Sequence, residues 1–249
     1  MMPLSDATRS GGVKAYRLRL LIDAGLRVPP GFVMSVSEVT PRAVEEACSS
    51  SGCSFPAAVR ISPPEVGLAE FALSAIGLRV AEGPEDVPYL ATWLISRAAE
   101  VTPAAAGSMI IVQSLVASPK ASGAAYTVSP ITWFRRLIVE AVPGLGDEFM
   151  SVGSPHDSFT FDLSLRLVER RVMRKASARR YVPGRGVVAI PMADPWTQSL
   201  SDEEAREVAS YALRAEEAVG GPLELEWAYS SGPWALGARP LPRQKFMSM

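Results

Sequence analysis

Asparagine is absent from this chain of 249 residues, and glutamine occurs at only three positions. Thermolabile amides are depleted in proteins that work hot, so a thermophilic source is expected. Lysine is also scarce, four among 25 basic residues, although genomic GC content would give the same bias towards arginine. Histidine occurs once, as His156 in GSPHDS. In a Pro/Ser/Asp loop it reads as a solvated residue rather than a catalytic base. The two cysteines, Cys48 and Cys53, sit in CSSSGC with no second pair and no nearby histidine, which excludes a zinc site of ordinary spacing. Buried or surface thiols are the expectation, with a local disulfide left open for a hyperthermophile. No apolar run approaches the length of a transmembrane helix. The first residues, MMPLSDATRSGG, lack the apolar core of a secretory leader, so a cytoplasmic location is expected. A net charge of -1 gives no strong field to draw the chain to nucleic acid or an anionic membrane.

What is present is an ordinary globular composition, 48% hydrophobic and 20% charged, in a chain long enough for one large domain or two lobes. Lys14 to Ala24 reads as a helix with apolar residues at Ala15, Leu18, Leu21 and Ile22, ended by Gly25. Pro41 opens a short helix to Cys48, and Glu85 to Ala99 reads as another. AAVRI (57–61) and MIIVQSLV (109–116) read as strands. VTPAAAGS (101–108) is small, Pro-containing and non-periodic, and is expected to link two lobes. Further strands follow at AAYTV, LIVEAV, SFTFDL, LRLVERRV and GVVAI. Ser201 to Val219 carries the clearest helix signature, a capping box of Ser201 and Glu204 and an apolar stripe from Ala205 to Val219. A hairpin, LELEWAY then WALGARPL, closes the chain. Helices and strands are mixed rather than alternating, which predicts an α+β fold. The expected division is an N-terminal lobe over 1–105, a strand-rich C-terminal lobe over 106–243, and a tail over 244–249.

Strand alternation puts Glu224 and Glu226 on one face of the hairpin, with Leu223, Leu225 and Trp227 on the other. Two neighbouring carboxylates repel unless a cation or base lies between them. Nucleotide-bound Mg²⁺ is such a cation, and Arg239 on the returning strand could meet the same phosphates. From the hairpin alone, a plain amphipathic strand with its acidic face in water would read the same way.

Other segments carry a resemblance. GVKAYRLRLLIDAGLRVPPGF (12–32) resembles the opening of the phosphoenolpyruvate synthase and pyruvate phosphate dikinase family, in which a Gly-Gly-Lys helix ends in Ala-Gly and leads to Val-Pro-Pro-Gly-Phe. AVRIS (58–62) resembles its Ala-Val-Arg-Ser-Ser, IVQSLV (111–116) its Val-Gln-x-Met-Val, and SGAAYTVSP (122–130) its Ser-Gly-Val-x-Phe-Thr-x-x-Pro. VEAVPGLGDEFMSVG (139–153) is similar to a Glu-Ala and Gly-Leu-Gly-Glu stretch. LELEWA and LGARPL resemble Asp-Ile-Glu-Trp-Ala and Leu-Gln-Ala-Arg-Pro. The likeness runs from Gly12 to Leu241, and the order of the motifs is its most specific feature.

The resemblance implies a two-lobed ATP-grasp-like domain, here in a divergent, stand-alone form, with ATP and Mg²⁺ in the cleft. It puts Lys14, Arg60 and Arg239 on the catalytic, phosphate-facing positions. Gln113, Thr127, Glu140 and Lys175 join Lys14 and Arg60 as nucleotide-binding residues, and Glu224 and Glu226 fall on metal positions. The implied activity is transfer of phosphate from ATP to a histidine on a separate phosphohistidine- or pyruvate-binding chain, or to another acceptor. A degenerate nucleotide-binding, regulatory or structural subunit is the alternative. The chain departs from the pattern at four places. Val13 replaces the second glycine, and Ile61 interrupts the Ser-Ser after the arginine. Leu73 stands for the glycine of the phosphate loop, in EFALSAIGL (70–78), with the preceding acidic pair thinned to Glu65. Gly237 stands for a metal-binding Gln.

Overall fold

The computed structural model describes residues 1–65, 73, 76–105, 107–146 and 154–241. Its strands are β1 (Met2–Pro3), β2 (Gly31–Met34), β3 (Ala57–Ser62), β4 (Arg79–Ala81), β5 (Met109–Ser114), β6 (Ala121–Tyr126), β7 (Leu137–Pro143), β8 (Asp157–Phe161), β9 (Leu167–Arg171), β10 (Ser177–Val182), β11 (Gly186–Pro191), β12 (Leu223–Tyr229) and β13 (Pro233–Pro240). The described α-helices are α1 (Val13–Asp23), α2 (Pro41–Ser51), α3 (Asp86–Val101) and α4 (Asp202–Val219). The strands form a five-stranded sheet in the order β1-β2-β5-β3-β4, a six-stranded sheet in the order β13-β12-β6-β7-β8-β9, and a separate β10–β11 hairpin. This is the two-lobed, ATP-grasp-like α+β arrangement that the sequence predicts. Among the described residues no helix is long and apolar enough to cross a membrane.

Two apolar cores hold the lobes. In the first, Val44 of α2 and Val87, Ala91 and Leu94 of α3 pack on Phe32, Met34, Val59, Ile110 and Val112 of the first sheet. In the second, Val208, Ala212 and Ala215 of α4 pack with Leu137, Phe159, Phe161, Leu225 and Trp227 of the second sheet. Leu18 and Leu21 of α1 belong to this second core, together with Val33 and Ile111 from the back of the first sheet. Helix α1 is therefore wedged between the sheets and ties one lobe to the other.

Strand β5 explains a difference from the expected division. Ile110 and Val112 face the first core while Ile111 faces the second, and β5 is paired on both sides, with β2 and with β3. The uninterrupted apolar run MIIV reflects a central strand buried on both faces. Residues 101–108 thus join α3 to β5 within the first sheet, and the chain crosses to the second sheet between Ser114 and Ala121.

Local signals are met where they are strongest. Ser201 and Glu204 form the capping box of α4, and Gly220 ends the helix in the left-handed region at φ 88°. Helix α1 has no cap of its own. Ser62 Oγ, at the end of β3, accepts a hydrogen bond from Ala15 N at 3.1 Å and supplies one. Gly12 makes that junction possible: its φ is +84°, and a Cβ there would lie 2.4 Å from Ser62 Oγ. Cys48 and Cys53 are free thiols, and burial pushes Cys53 up to about 12. The tail over 244–249 lies outside the described residues.

A buried ion pair pins the outer strands of the second sheet. Lys175 Nζ donates to Asp157 Oδ1 and, at 2.8 Å, to the Met173 carbonyl. Asp157 Oδ2 accepts from both the backbone N–H and the hydroxyl of Ser199 at 2.7 Å. Removing one partner of such a pair strands a charge in the interior. Lys175→Met is expected to lower the unfolding free energy by about 3–5 kcal/mol in urea titrations. Adding Asp157→Asn, which removes the stranded charge and keeps an acceptor oxygen, is expected to restore part of the loss. An unchanged Lys175→Met midpoint would contradict this account.

Candidate functional site

The candidate site begins at one carboxylate. Glu226 lies on β12, where strand alternation turns it away from the core side taken by Leu225 and Trp227. Lys14, in the first turn of α1, reaches it with Nζ at 3.1 Å from Oε1 and 3.3 Å from Oε2. Arg60, on β3, places Nη1 3.0 Å from Oε2. One acid of the second sheet is thus gripped by the wedge helix and by the first sheet. The register of β12 on β13 shifts after Glu226, leaving Leu236 as an extra residue, and its carbonyl accepts a hydrogen bond from Arg60 at 2.9 Å. The bulge re-aims a backbone acceptor at the arginine.

Glu224, two residues earlier on the same face, is almost fully buried and pairs with Arg239, directly opposite it on β13. Three cations therefore face two carboxylates, and the cluster carries one net positive charge. The two acids respond differently. Burial pushes Glu226 up, but the charges of Lys14, Arg60 and Arg239 outweigh it and hold it down at about 2. For Glu224 burial wins over Arg239, and its pKa is raised.

Gly237 explains how close these groups come. It sits opposite Glu226, and a Cβ there would lie 2.9 Å from Glu226 Oε2 and 3.1 Å from Lys14 Cε. The position that lost its side chain is the one over which Lys14 crosses to Glu226. Among the described residues no three Asp, Glu, His or Cys side chains converge to hold an ion by themselves. Two carboxylates on neighbouring rungs of one face do suit a hard divalent cation whose remaining ligands are phosphate oxygens and water. The donor set fits Mg²⁺ on those terms.

The cluster lines one part of a cavity between the sheets, about 1360 Å³ with its open mouth. Lys14, Arg60, Glu226 and Arg239 form its charged part. Ala58, Ile61, Leu78, Leu115, Val116, Leu145, Val187 and Leu236 supply apolar wall. Gln113 also lines it, buried at 2% exposure and donating to the Pro29 carbonyl at 3.1 Å. Leu73 is buried in the first core and touches the cavity, so an apolar side chain occupies the position of the loop glycine. Residues 66–72, 74–75 and 147–153, which include most of the phosphate-loop segment and the DEFMSVG stretch after Gly146, lie outside the described residues.

Other expected residues are placed elsewhere. Thr127 is fully buried, and its hydroxyl accepts the Leu223 N–H at 3.0 Å; it pins β6 to β12. Lys175 is committed to Asp157 beneath the outer strands. Glu140 lies on the Glu226 face, one strand beyond Ala124, beside His156 Nε2 at 3.5 Å. His156 lies in the loop before β8, part-exposed as expected, and in addition has partners there. Its Nδ1 lies 2.8 Å from the Ser154 carbonyl, and the hydrogen bond to Glu140 raises its pKa against the opposing effect of burial. Tyr126 was missed: it stands opposite Glu224 with its hydroxyl on Glu140, and burial, then the charges of Glu224 and Glu140, raises its pKa. The signal was available, because alternation from Glu224 across β6 puts Tyr126 on the charged face.

Comparisons with known proteins bear on the fold and the family. The family model described as the pyruvate phosphate dikinase AMP/ATP-binding domain matches residues 97–247. A probable phosphoenolpyruvate synthase of Methanocaldococcus jannaschii is 34% identical over 136 residues, covering 53% of this chain and 11% of that protein. The prodigiosin synthesizing transferase PigC of Serratia marcescens is 28% identical over 284 aligned positions, 95% of this chain and 32% of its own. The chain thus spans between about a tenth and a third of the length of these relatives. Among solved structures, PH1788 from Pyrococcus horikoshii superposes with a TM-score of 0.52 at 12% identity, over 94% of this chain and 92% of that one, a likeness of fold alone.

The acid side of the stability curve tests the central ion pair. Because Glu226 is held at about 2 in the fold against 4.5 ordinarily, its contribution is fully present above about pH 4.5 and is lost as the pH falls through 2. Glu226→Gln is expected to destabilise by ~2–3 kcal/mol at pH 7, discounted for partial exposure. The penalty should shrink towards zero near pH 2 in urea melts run across that range. A penalty independent of pH would show that the pair carries no such linkage.

Proposed function

Because the chain belongs to the pyruvate phosphate dikinase AMP/ATP-binding domain family, we propose that it binds ATP with Mg²⁺ between its lobes and serves the nucleotide half of a phosphoryl transfer. The observation that carries the reading is the convergence of Lys14, Arg60, Arg239 and Glu226 on one part of a cavity whose other walls are largely apolar, with Glu224 buried beside them against Arg239. Phosphoryl transfer asks for cations around the phosphates and little covalent chemistry from the protein.

In this reading the triphosphate displaces the carboxylates as the partner of the three cations. Lys14 turns its compact ammonium from Glu226 to a phosphate oxygen, a role in which Arg's planar fork fits less well. Arg60 stays aligned by the Leu236 carbonyl. Glu226 and Glu224, released from Lys14 and Arg239, would hold Mg²⁺, which supplies charge neutralisation at the phosphates. The apolar walls at Leu115, Val116 and Val187 suit the base. The phosphate would pass to a histidine on a separate chain or to another acceptor. The relatives named for phosphoenolpyruvate and for prodigiosin differ in product, which supports the nucleotide half as the shared part. A cytoplasmic location fits ATP as substrate.

Gly237 favours a second reading. With no side-chain oxygen at that position, and with both carboxylates paired internally, the domain binds nucleotide without transferring phosphate and acts as a regulatory or structural subunit. Calorimetry with ATP decides first. Wild type should bind ATP in the presence of Mg²⁺, and Lys14→Ala should weaken binding by about 10- to 100-fold, the range for a hydrogen bond to a charged group. Arg19→Ala, an exposed residue paired with Asp23 on α1, should change nothing. No binding at millimolar ATP would end the nucleotide reading. Binding without any release of labelled phosphate or AMP, with a phosphohistidine domain supplied, would favour the second.

A further inference from the structure

The β10–β11 hairpin pairs with neither large sheet. Its base is fixed to the second lobe: Leu145 N donates to the Arg179 carbonyl at 2.9 Å. Gly144, at φ +79°, lets the two backbones close, since a Cβ there would meet that carbonyl oxygen at 2.1 Å. Its tip belongs elsewhere. Gly184 N–H donates to both carboxylate oxygens of Glu82, at 2.8 and 3.1 Å, and the Tyr181 hydroxyl meets the same carboxylate. Glu82 directly follows β4 in the first lobe, and β4 is the strand that leaves the phosphate-loop segment. Between base and tip, Val187 enters the wall of the nucleotide cavity. The hairpin therefore spans from lobe to lobe beside the cavity, and one acidic side chain of the first lobe holds its far end.

We propose that Glu82 is a positioning residue for nucleotide binding: it fastens the hairpin tip as a strap, so that Val187 completes the cavity over a bound nucleoside phosphate, and its release admits and discharges that ligand. The assignment of the ligand rests on the nucleotide reading above. Glu82 and Gly184 are both exposed, so water competes for the fastening and it is weak enough to open. The charge of Glu82 strengthens two bonds to a single N–H, while the base of the hairpin stays anchored through Arg179.

Glu82→Ala tests the strap with two readouts on the full chain. Without nucleotide, hydrogen exchange should accelerate at the amides of residues 177–191 while the melting temperature stays near wild type. With a fluorescent ATP analogue, dissociation should speed up about five-fold, the change produced by losing a hydrogen bond of ~1 kcal/mol. Glu82→Gln, which keeps one acceptor oxygen, should recover part of both effects. Unchanged exchange in the hairpin overturns the strap whatever the protein binds. Faster exchange with unchanged dissociation overturns its role in holding the ligand. Faster exchange confined to the hairpin upholds the strap even if wild type takes up no ATP, a result that counts instead against the nucleotide reading.

Discussion

The grip of Lys14 and Arg60 on Glu226 is the contact on which the site depends. Three elements from different parts of the chain end at that carboxylate: the wedge helix α1, strand β3 of the first sheet and strand β12 of the second. Each is aimed by a local feature. Gly12 and Ser62 set where α1 starts against β3. The bulge at Leu236 gives Arg60 a second acceptor. The bare α-carbon of Gly237 leaves room for Lys14 to cross. Two carboxylates kept together in a half-buried site would repel, and the three cations make the arrangement stable.

In the proposed reading, the same balance makes the fold a receptor. A cluster with one spare positive charge at the edge of a low-dielectric cavity attracts polyanions, and the carboxylates keep the cations ordered until one arrives. Under that proposal ligand phosphates would exchange with carboxylates as partners, so the side chains are already placed and little ordering would have to be supplied on binding. The apolar wall from both lobes, with Val187 of the proposed strap, would give the rest of the ligand a surface that excludes water.

Elements with strong local codes were legible in the sequence. The capping box and stripe of α4, and the alternation that puts Glu224 and Glu226 together with Arg239 opposite, all appear as read. Lys14 and Arg60 were legible through motif order, because nothing local says that residues 14, 60 and 226 meet. What was not legible depends on which surface covers a residue. MIIVQS reads as a buried strand in either lobe, and only its two-sided packing decides for the first sheet. Lys175 and Thr127 matched motif positions, yet a buried aspartate claims one and a backbone N–H claims the other. The contact of His156 with Glu140 was not legible, because the sequence does not show that this residue of β7 faces the loop.

The most direct test of the account is the position of Lys14 in a crystal structure of the protein with Mg²⁺ and a non-hydrolysable ATP analogue. The account predicts that Lys14 Nζ has left Glu226 for a phosphate oxygen, with the metal on Glu224 and Glu226 and the base against Leu115 and Val116. A nucleotide bound elsewhere, or in the cavity with the Lys14–Glu226 pair intact at its present 3.1 Å, would contradict it.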